Sequence, residues 1–181
     1  MYYKDFYSST HLTEVAKEFG VTNTFAIPRI KKIVINVGAG ESVKSKNVTT
    51  DIAKQIGIIA GQMPVITKAR KSVSAFKIRE GLPIGVKVTL RGKRMVAFLD
   101  KLVHVVIPML KDFRGVAETC VDGHGNLNLG FSEQTIFSEI DFDSIDHLRG
   151  LQVTVATNAR SHEKGRLLFA KLGIPFAKKA V

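Results

Sequence analysis

The residues best suited to chemistry in this chain are a crowded set of bases. Nine of its 27 Lys and Arg residues lie between Lys68 and Arg94, where Glu80 is the one acid. This stretch carries +8 of the chain's formal net charge of +11. Charge so concentrated attracts a polyanion, and phosphate backbones are the usual one. Since solubility alone does not require such clustering, we predict contact with RNA or DNA rather than a merely solvated basic surface.

No catalytic set accompanies these bases. The five His residues show no metal-ligand spacing, and Cys120, the single cysteine, has no evident base partner. Gly38-Ala39-Gly40 follows a predicted strand, but Val43 stands where a dinucleotide fingerprint needs its third glycine. A tight turn is therefore the favoured role of these glycines. We predict that the chain is not an enzyme and has no catalytic residue, metal, cofactor or small-molecule substrate.

Apolar periodicity indicates the elements that must position the bases. Alternation or β-branched composition predicts five strands, over Arg29–Val37, Val65–Thr67, Val86–Arg91, Leu127–Phe131 and Leu151–Ala156. Helical spacing and stop signals predict helices over residues 12–19, 48–59, 95–110 and 161–172, with a disturbance near residue 108, a proline, and a hairpin turn over residues 122–126. Because each strand has one apolar face, the predicted fold class is α+β. It is a single antiparallel or mixed sheet with helices packed on one face and a long basic loop.

The opposite faces of these strands carry basic or hydrogen-bonding residues and no acid. They are Lys32, Asn36, Lys87, Thr89, Arg91, Asn128, Gln152 and Thr154. Such a face can donate to phosphates and 2′-hydroxyls without repelling them. It has no aromatic residue, so base stacking is not its predicted mechanism. The alternative is an ordinary solvated face, which would normally include Asp or Glu.

Length and charge distribution indicate the organisation of the chain. Its 181 residues fit one RNA-binding domain, residues 1–181, with an extended basic loop over residues 68–85. The start lacks the apolar core of a signal peptide, the lone cysteine fits a reducing cytoplasm, and no segment predicts a membrane partner. From Gly115 to Leu148 there are seven acids and no Lys or Arg. Those acids either face a basic protein or compensate nearby bases, and the sequence favours neither.

Several long segments resemble the bacterial L-five family of large-subunit ribosomal proteins. The longest is GQMPVITKARKSVSAFKIREG, from Gly61 to Gly81. Further agreement lies in Pro83–Gly92, Asn36–Glu41, Asp112–Gly115 and Phe137–Asp143. Ser138 stands where a proline is common in the family, and residues 177–181 extend a little beyond some members. The resemblance covers nearly the whole chain.

This resemblance implies a ribosomal role and particular partners. It implies 5S rRNA, large-subunit rRNA and other 5S-binding ribosomal proteins in the central protuberance, P-site tRNA, and a small-subunit head protein of the S-thirteen family. With the strand pattern, it predicts an rRNA-binding set of Lys32, Asn36, Gln62, Thr67, Lys68, Arg70, Lys87, Thr89 and Arg91. It implies tRNA contact by Lys71, Ser72, Phe76, Lys77 and Arg79, and a protein bridge through Glu139, Asp141 and Asp143. The alternative is a free-standing nucleic-acid-binding regulator, but no helix-turn-helix or other reader motif appears.

Within the basic loop, small residues alternate with bases. With no large apolar face to hold it, the tip is expected to be mobile in the free protein. Val73, Phe76 and Ile78 either pack the two sides of the loop together or, for Phe76, touch RNA. The pattern favours packing.

Overall fold

The fold is known from a computed structural model, which describes residues 16, 18–20, 23–40, 48–110, 113–140 and 147–177. In these residues five strands form one antiparallel sheet with helices packed against it, so the predicted α+β class is confirmed. The strands are β1 Ile30–Gly38, β2 Val65–Lys68, β3 Pro83–Leu90, β4 Leu127–Phe131 and β5 Leu151–Thr157, in the order β2-β3-β1-β5-β4.

The helices also follow the predicted periodicity. They are α1 Val48–Ala60, α2 Gly92–Lys101 and α3 His162–Lys171, with short 3-10 helices over Thr24–Ala26, Ser74–Phe76, Glu118–Cys120 and Gln134–Ile136. Ser161 caps α3 as predicted, because its side-chain oxygen accepts a hydrogen bond from the Lys164 N–H. Leu12 and Val15 of the predicted N-terminal helix lie outside the described residues, whereas Ala16 and Phe19 are buried.

The helix predicted over residues 95–110 begins three residues earlier and is irregular near its end. α2 continues through a π-helical segment, Leu102–Val106, into a helical turn at Ile107–Met109. The Ile107 N–H bonds the Leu102 carbonyl, five residues back. Pro108 has no N–H and its ring crowds the carbonyl four residues before it, so the preceding turn widens. The predicted disturbance at Pro108 is confirmed.

The chain divides into two compact units. The first comprises Met1–Ile33, Arg91–Leu129 and Thr154–Val181, and the second comprises Val34–Leu90 and Gly130–Val153. In the second unit α1 packs on β2 and β3, burying its isoleucines at 52, 56 and 59. In the first unit, apolar residues of α2, α3, β4 and β5 are buried, including Phe98, Leu168, Leu127 and Val155.

The alternation that predicted the strands is present in their burial. Ile33, Ile35 and Val37 are buried in β1, and the residues between them are not. Val86, Val88 and Leu90 are buried in β3, Leu127, Leu129 and Phe131 in β4, and Leu151, Val153 and Val155 in β5. Each of these four strands therefore presents its intervening residues on the opposite face.

Candidate nucleic-acid interface

In the second unit, the side of the sheet opposite the buried residues forms an open face. It presents Asn36, Thr67, Lys87, Thr89 and Gln152 from its strands. Asn36, Lys87 and Gln152 are exposed, while Thr67 and Thr89 are half-buried. The described strand residues of this face include no Asp or Glu, so its donors can meet an anionic backbone without like-charge repulsion.

Gln62 lies beside this face because α1 ends just before it. Gly61 closes the helix with φ +61°, a left-handed conformation that glycine adopts without a steric penalty. The half-buried Gln62 then donates from Nε2 to the Thr89 carbonyl oxygen at 3.3 Å. This bond places the Gln62 amide against the backbone of β3, whose neighbour in the sheet is β1, the strand of Asn36.

The pairing of β2 with β3 determines which of their residues point to the open face. Val65 pairs with Lys87 and Thr67 pairs with Gly85, so all four residues point to the same side. A Cβ at Gly85 would lie 2.9 Å from the Val37 carbonyl oxygen and 3.0 Å from Thr67 Oγ1. Only glycine fits there, so no side chain projects from the open face at this position.

Sequence reasoning missed two exposed apolar residues that follow Gln62. Met63 is 76% exposed and Val65 is 66% exposed, next to Gln62 along the chain. The strand containing Val65 has only four residues, too few for alternation to show which side is open. Its side becomes evident only from the pairing of Val65 with Lys87.

The basic loop is a hydrogen-bonded hairpin rather than an irregular excursion. Strand pairing extends to Lys68 and Pro83, so the loop proper covers residues 69–82, inside the predicted range of 68–85. The Ala69 N–H bonds the Leu82 carbonyl at 2.8 Å, and Val73 and Ile78 exchange backbone bonds of 2.9 and 3.1 Å. Between them Ser74–Phe76 form a 3-10 turn, which Lys77 ends in the left-handed region at φ 55°.

The predicted RNA- and tRNA-contacting residues of this hairpin are brought to its surface. Those exposed are Lys68, Arg70, Lys71, Ser72, Phe76, Lys77 and Arg79. Ser72 also accepts a hydrogen bond from the Glu80 N–H at 2.9 Å and so braces the two sides. The favoured packing role of Phe76 is wrong, since its side chain is 72% exposed. Val73 and Ile78 close the tip through their backbones, and Phe76 lies in the 3-10 turn between them.

Two further predicted rRNA-binding residues, Lys32 and Arg91, belong to the first unit. Arg91 is exposed and Lys32 is half-buried. The Arg91 guanidinium donates from NH1 to the Lys31 carbonyl oxygen at 3.4 Å. This bond brings the residue after β3 beside the beginning of β1.

The acidic segment is described only in part. Glu139 is exposed, whereas Asp141 and Asp143 lie outside the described residues. The buried Gln134 ties this region together, donating from Nε2 to the His147 carbonyl at 3.1 Å and accepting from the Arg149 N–H at 2.7 Å. A buried glutamine with these partners is structural, and no sequence pattern distinguished it from its exposed neighbours.

Neither a metal-binding cluster nor a membrane-spanning helix occurs within the residues that the structure describes. Across the described ranges, no three His, Cys, Asp or Glu side chains lie close enough together to hold a metal ion. No helix within those ranges combines the length and apolarity that a bilayer span requires.

Comparison with known protein families gives two matches. Residues 23–79 match the family model described as Ribosomal protein L5. Residues 83–176 match a second model, which describes the C-terminus of the ribosomal L5 family. The second match alone spans more than half of the chain. The first contains β1, α1, β2 and most of the basic loop, and the second contains β3 and everything after it as far as Phe176.

Proposed function

The chain belongs to the ribosomal L5 family, and from this membership we propose that it binds 5S rRNA through the open face of its second unit. Members of this family are structural ribosomal proteins rather than enzymes, which gives this chain a structural role in the large subunit, in association with rRNA. The choice of 5S rRNA comes from the family resemblance, and the open face supports the way in which the RNA would be held.

One observation carries the proposal: the open face offers hydrogen-bond donors and a cation on one side of the sheet, with no acid on its described strands. Lys87 supplies a charge for phosphate, and Asn36 supplies an amide that can both donate and accept. The bond from Gln62 to Thr89 fixes the amide at the helix end against the sheet. Such an arrangement suits the sugar and phosphate oxygens of a folded RNA better than base stacking, because the strands present no aromatic ring.

The test is direct binding of 5S rRNA as a function of salt. If roughly six basic groups meet phosphates, log K falls with log salt at a slope of about −4 to −5, at ~0.7–0.9 per contact. A slope near zero would reject the electrostatic account. Sedimentation in a sucrose gradient separates the ribosomal role from that of a free-standing regulator. A ribosomal protein sediments with the large subunits, whereas a free-standing regulator would stay at the top of the gradient.

The basic hairpin is proposed to contact P-site tRNA. Its exposed bases Lys71, Lys77 and Arg79 flank the exposed Phe76 along the chain of the hairpin. Bases of this kind meet the phosphate backbone, which every tRNA shares, so contact is expected without preference among tRNA species. The ring of Phe76 adds an apolar surface that can rest on a sugar or base.

The acidic segment is proposed to face a basic small-subunit head protein of the S-thirteen family. Charges at the rim of an interface act mainly on association rate and on its salt dependence. Replacement of Glu139, Asp141 and Asp143 by the neutral amides is therefore expected to slow subunit joining and leave 5S rRNA binding intact. Light scattering during subunit mixing measures the first, and a filter-binding assay measures the second. Unchanged joining, or loss of RNA, would contradict the assignment.

A further inference from the structure

One serine of the basic hairpin has the exposure and the neighbours of a group that an enzyme modifies. Ser72 is exposed, and it is the one serine or threonine in the sequence that directly follows two bases, Arg70 and Lys71. An exposed hydroxyl group after two cations is an arrangement that an acidic substrate cleft can select by charge.

The Ser72 hydroxyl group is oriented by a hydrogen bond and is still able to react. Its oxygen accepts a hydrogen bond from the Glu80 N–H at 2.9 Å, across the hairpin. Because a serine oxygen has two lone pairs and one hydrogen, this bond leaves one lone pair and the O–H hydrogen for another partner. Attack by the oxygen needs that lone pair, and proton transfer to a base removes that hydrogen.

Backbone bonds on both sides of Ser72 order the segment that carries it. The Ala69 N–H bonds the Leu82 carbonyl at 2.8 Å, and Val73 and Ile78 exchange backbone bonds of 2.9 and 3.1 Å. Ser72 lies between these two pairs, so its hydroxyl group is presented from an ordered part of the hairpin.

The second serine of the hairpin lacks these features. Ser74 begins the 3-10 turn Ser74–Phe76, and its carbonyl oxygen accepts a hydrogen bond from the Lys77 N–H at 3.0 Å. Val73, an apolar residue, directly precedes it. Drawing Ser74 into an extended substrate cleft would break the turn, so the two serines offer an internal comparison.

A phosphoryl group on Ser72 would remove most of the net charge of the hairpin. Residues 69–82 have a net charge of +3, from one acid, Glu80, and four exposed bases, Arg70, Lys71, Lys77 and Arg79. Phosphoserine carries about −1.5 to −2 at pH 7, which would leave the hairpin at roughly +1. Its oxygens would accept charge-assisted hydrogen bonds from neighbouring Lys and Arg side chains, and bases so engaged are no longer free to meet the phosphates of an RNA.

We propose that Ser72 is a phosphoryl acceptor, modified by a serine kinase that selects bases before its target, and that the phosphate weakens the contacts of the basic hairpin. The Ser72 oxygen attacks the terminal phosphorus of a nucleoside triphosphate, and the bond from that phosphorus to the bridging oxygen breaks. Nucleoside diphosphate leaves, and the hydroxyl proton passes to a basic group of the kinase. The acceptor role is independent of the proposed function, whereas the loss of tRNA contact rests on it.

Mass spectrometry of the full chain tests the acceptor. The chain is isolated from ribosomes and from the ribosome-free fraction, in growing and in starved cells, and fragment spectra distinguish Ser72 from Ser74. We expect the added mass of one phosphoryl group on Ser72, and none on Ser74, in at least one of these samples. Absence of phosphate from Ser72 in all of them, or phosphate on Ser74 instead, would overturn the proposal.

Dissociation of P-site tRNA tests the effect of the phosphate. Phosphoserine is incorporated genetically at position 72, and the control carries it instead of Ser132, which is also exposed and belongs to the same unit. We expect tRNA to leave ribosomes roughly threefold to fivefold faster with phosphoserine at position 72, because the phosphate offsets about two charges of the hairpin. The control is expected to match the unmodified chain, and the acceleration is expected to shrink at high salt, which screens exposed charges.

Removal of the phosphate provides a second control. Phosphatase treatment of the chain with phosphoserine at position 72, before its assembly into ribosomes, regenerates the serine hydroxyl group. We expect tRNA retention to return to that of the unmodified chain. Fast dissociation that persists after complete removal, checked by mass, would show a distorted hairpin rather than an effect of charge, and would overturn the proposed effect of the phosphate.

The outcomes also separate this proposal from the proposed tRNA contact. If Lys71→Gln, Lys77→Gln and Arg79→Gln together accelerate tRNA dissociation while phosphoserine at position 72 does not, the effect of the phosphate is wrong and the tRNA contact stands. If neither change alters the rate, the tRNA contact and the effect of the phosphate both fail. The mass spectra then still decide whether Ser72 accepts a phosphoryl group.

Discussion

The open face and the basic hairpin are both parts of the second unit, yet their shapes are held by different forces. The face lies over buried residues of β1 and β3. The residues that it presents depend on the register of β2 and β3 and on the absence of a side chain at Gly85. The hairpin has only Ala69 buried, at its base, and its shape comes from paired backbone N–H and carbonyl groups. Changes to the buried side chains beneath the face are therefore coupled to stability, whereas changes on the hairpin tip are nearly free of it.

The largest difference in folding stability is expected between two truncations, one of a buried apolar residue beneath the face and one of the exposed aromatic residue at the hairpin tip. Ile35 is fully buried beneath the face, so Ile35→Ala is expected to lower the free energy of unfolding by about 2–5 kcal/mol. Phe76→Ala at the hairpin tip is expected to change it by less than about 0.5 kcal/mol, because the ring is exposed. Urea denaturation of both variants measures the contrast. Comparable losses would show that the tip is packed after all.

Substitution of one glycine in each region by alanine tests the same contrast in folding stability. Gly85→Ala is expected to destabilise the chain by about 1–3 kcal/mol, since the new methyl group would press on the Val37 carbonyl oxygen and on Thr67. Gly81 in the hairpin has open space around its Cβ position and a φ of +81°, so Gly81→Ala is expected to cost only the conformational strain of about 1 kcal/mol. The Gly85 variant is also expected to bind 5S rRNA more weakly, and the Gly81 variant is not. Melting temperatures and RNA titrations of the pair check both expectations.

Much of this comparison could be predicted from the sequence, because its physical cause is local. Alternation in β1 and β3 identifies the face, since side chains of a strand point to opposite sides in turn. The exposure of Phe76 could not be predicted, because it depends on backbone bonds between Val73 and Ile78 that leave no sequence pattern. The need for glycine at position 85 depends on the register of β2 and β3.

The nine bases between Lys68 and Arg94 also show what periodicity along the chain could not predict. Five of them fall in the predicted basic loop and two in the predicted strand Val86–Arg91, and the structure distributes them among the hairpin, the open face at Lys87 and the beginning of α2 at Arg91, Lys93 and Arg94. The bond from Arg91 to the Lys31 carbonyl brings Arg91 beside the bases at the beginning of β1, more than fifty residues earlier in the chain. Such a grouping follows from strand order, which periodicity along a single chain does not specify.

On the open face, loss of one hydrogen-bonding side chain is expected to weaken RNA binding moderately. Asn36→Ala removes an exposed amide and is expected to lower 5S rRNA affinity by about 1–2 kcal/mol with little change in stability. Gln62→Ala is expected to lower affinity similarly and also to cost about 0.5–1.5 kcal/mol of folding stability, because its bond to the Thr89 carbonyl is lost. Ser132→Ala, an exposed polar residue of the same unit, serves as the control. If Asn36→Ala melts early while RNA affinity stays normal, Asn36 is structural and the face is not the 5S rRNA site.

The smallest effect is expected on the hairpin, where the proposed contact with tRNA depends mainly on exposed charges. Lys71→Gln, Lys77→Gln and Arg79→Gln together leave the backbone bonds between Val73 and Ile78 untouched, so the hairpin keeps its shape. Each exposed charge contributes about 0.3–0.5 kcal/mol, which predicts roughly fivefold to tenfold faster dissociation of P-site tRNA for the triple variant. Because the contact is to the backbone, the acceleration is expected to be equal for all tRNA species, and 5S rRNA binding is expected to stay normal. Filter retention of labelled tRNA on ribosomes that carry the variant measures the rate, with the Lys54→Gln, Arg114→Gln and Lys171→Gln variant as the charge-matched control. Unchanged retention, or acceleration confined to one tRNA, would remove the tRNA assignment and make the hairpin a second contact for ribosomal RNA, which would erase the functional difference between the two regions.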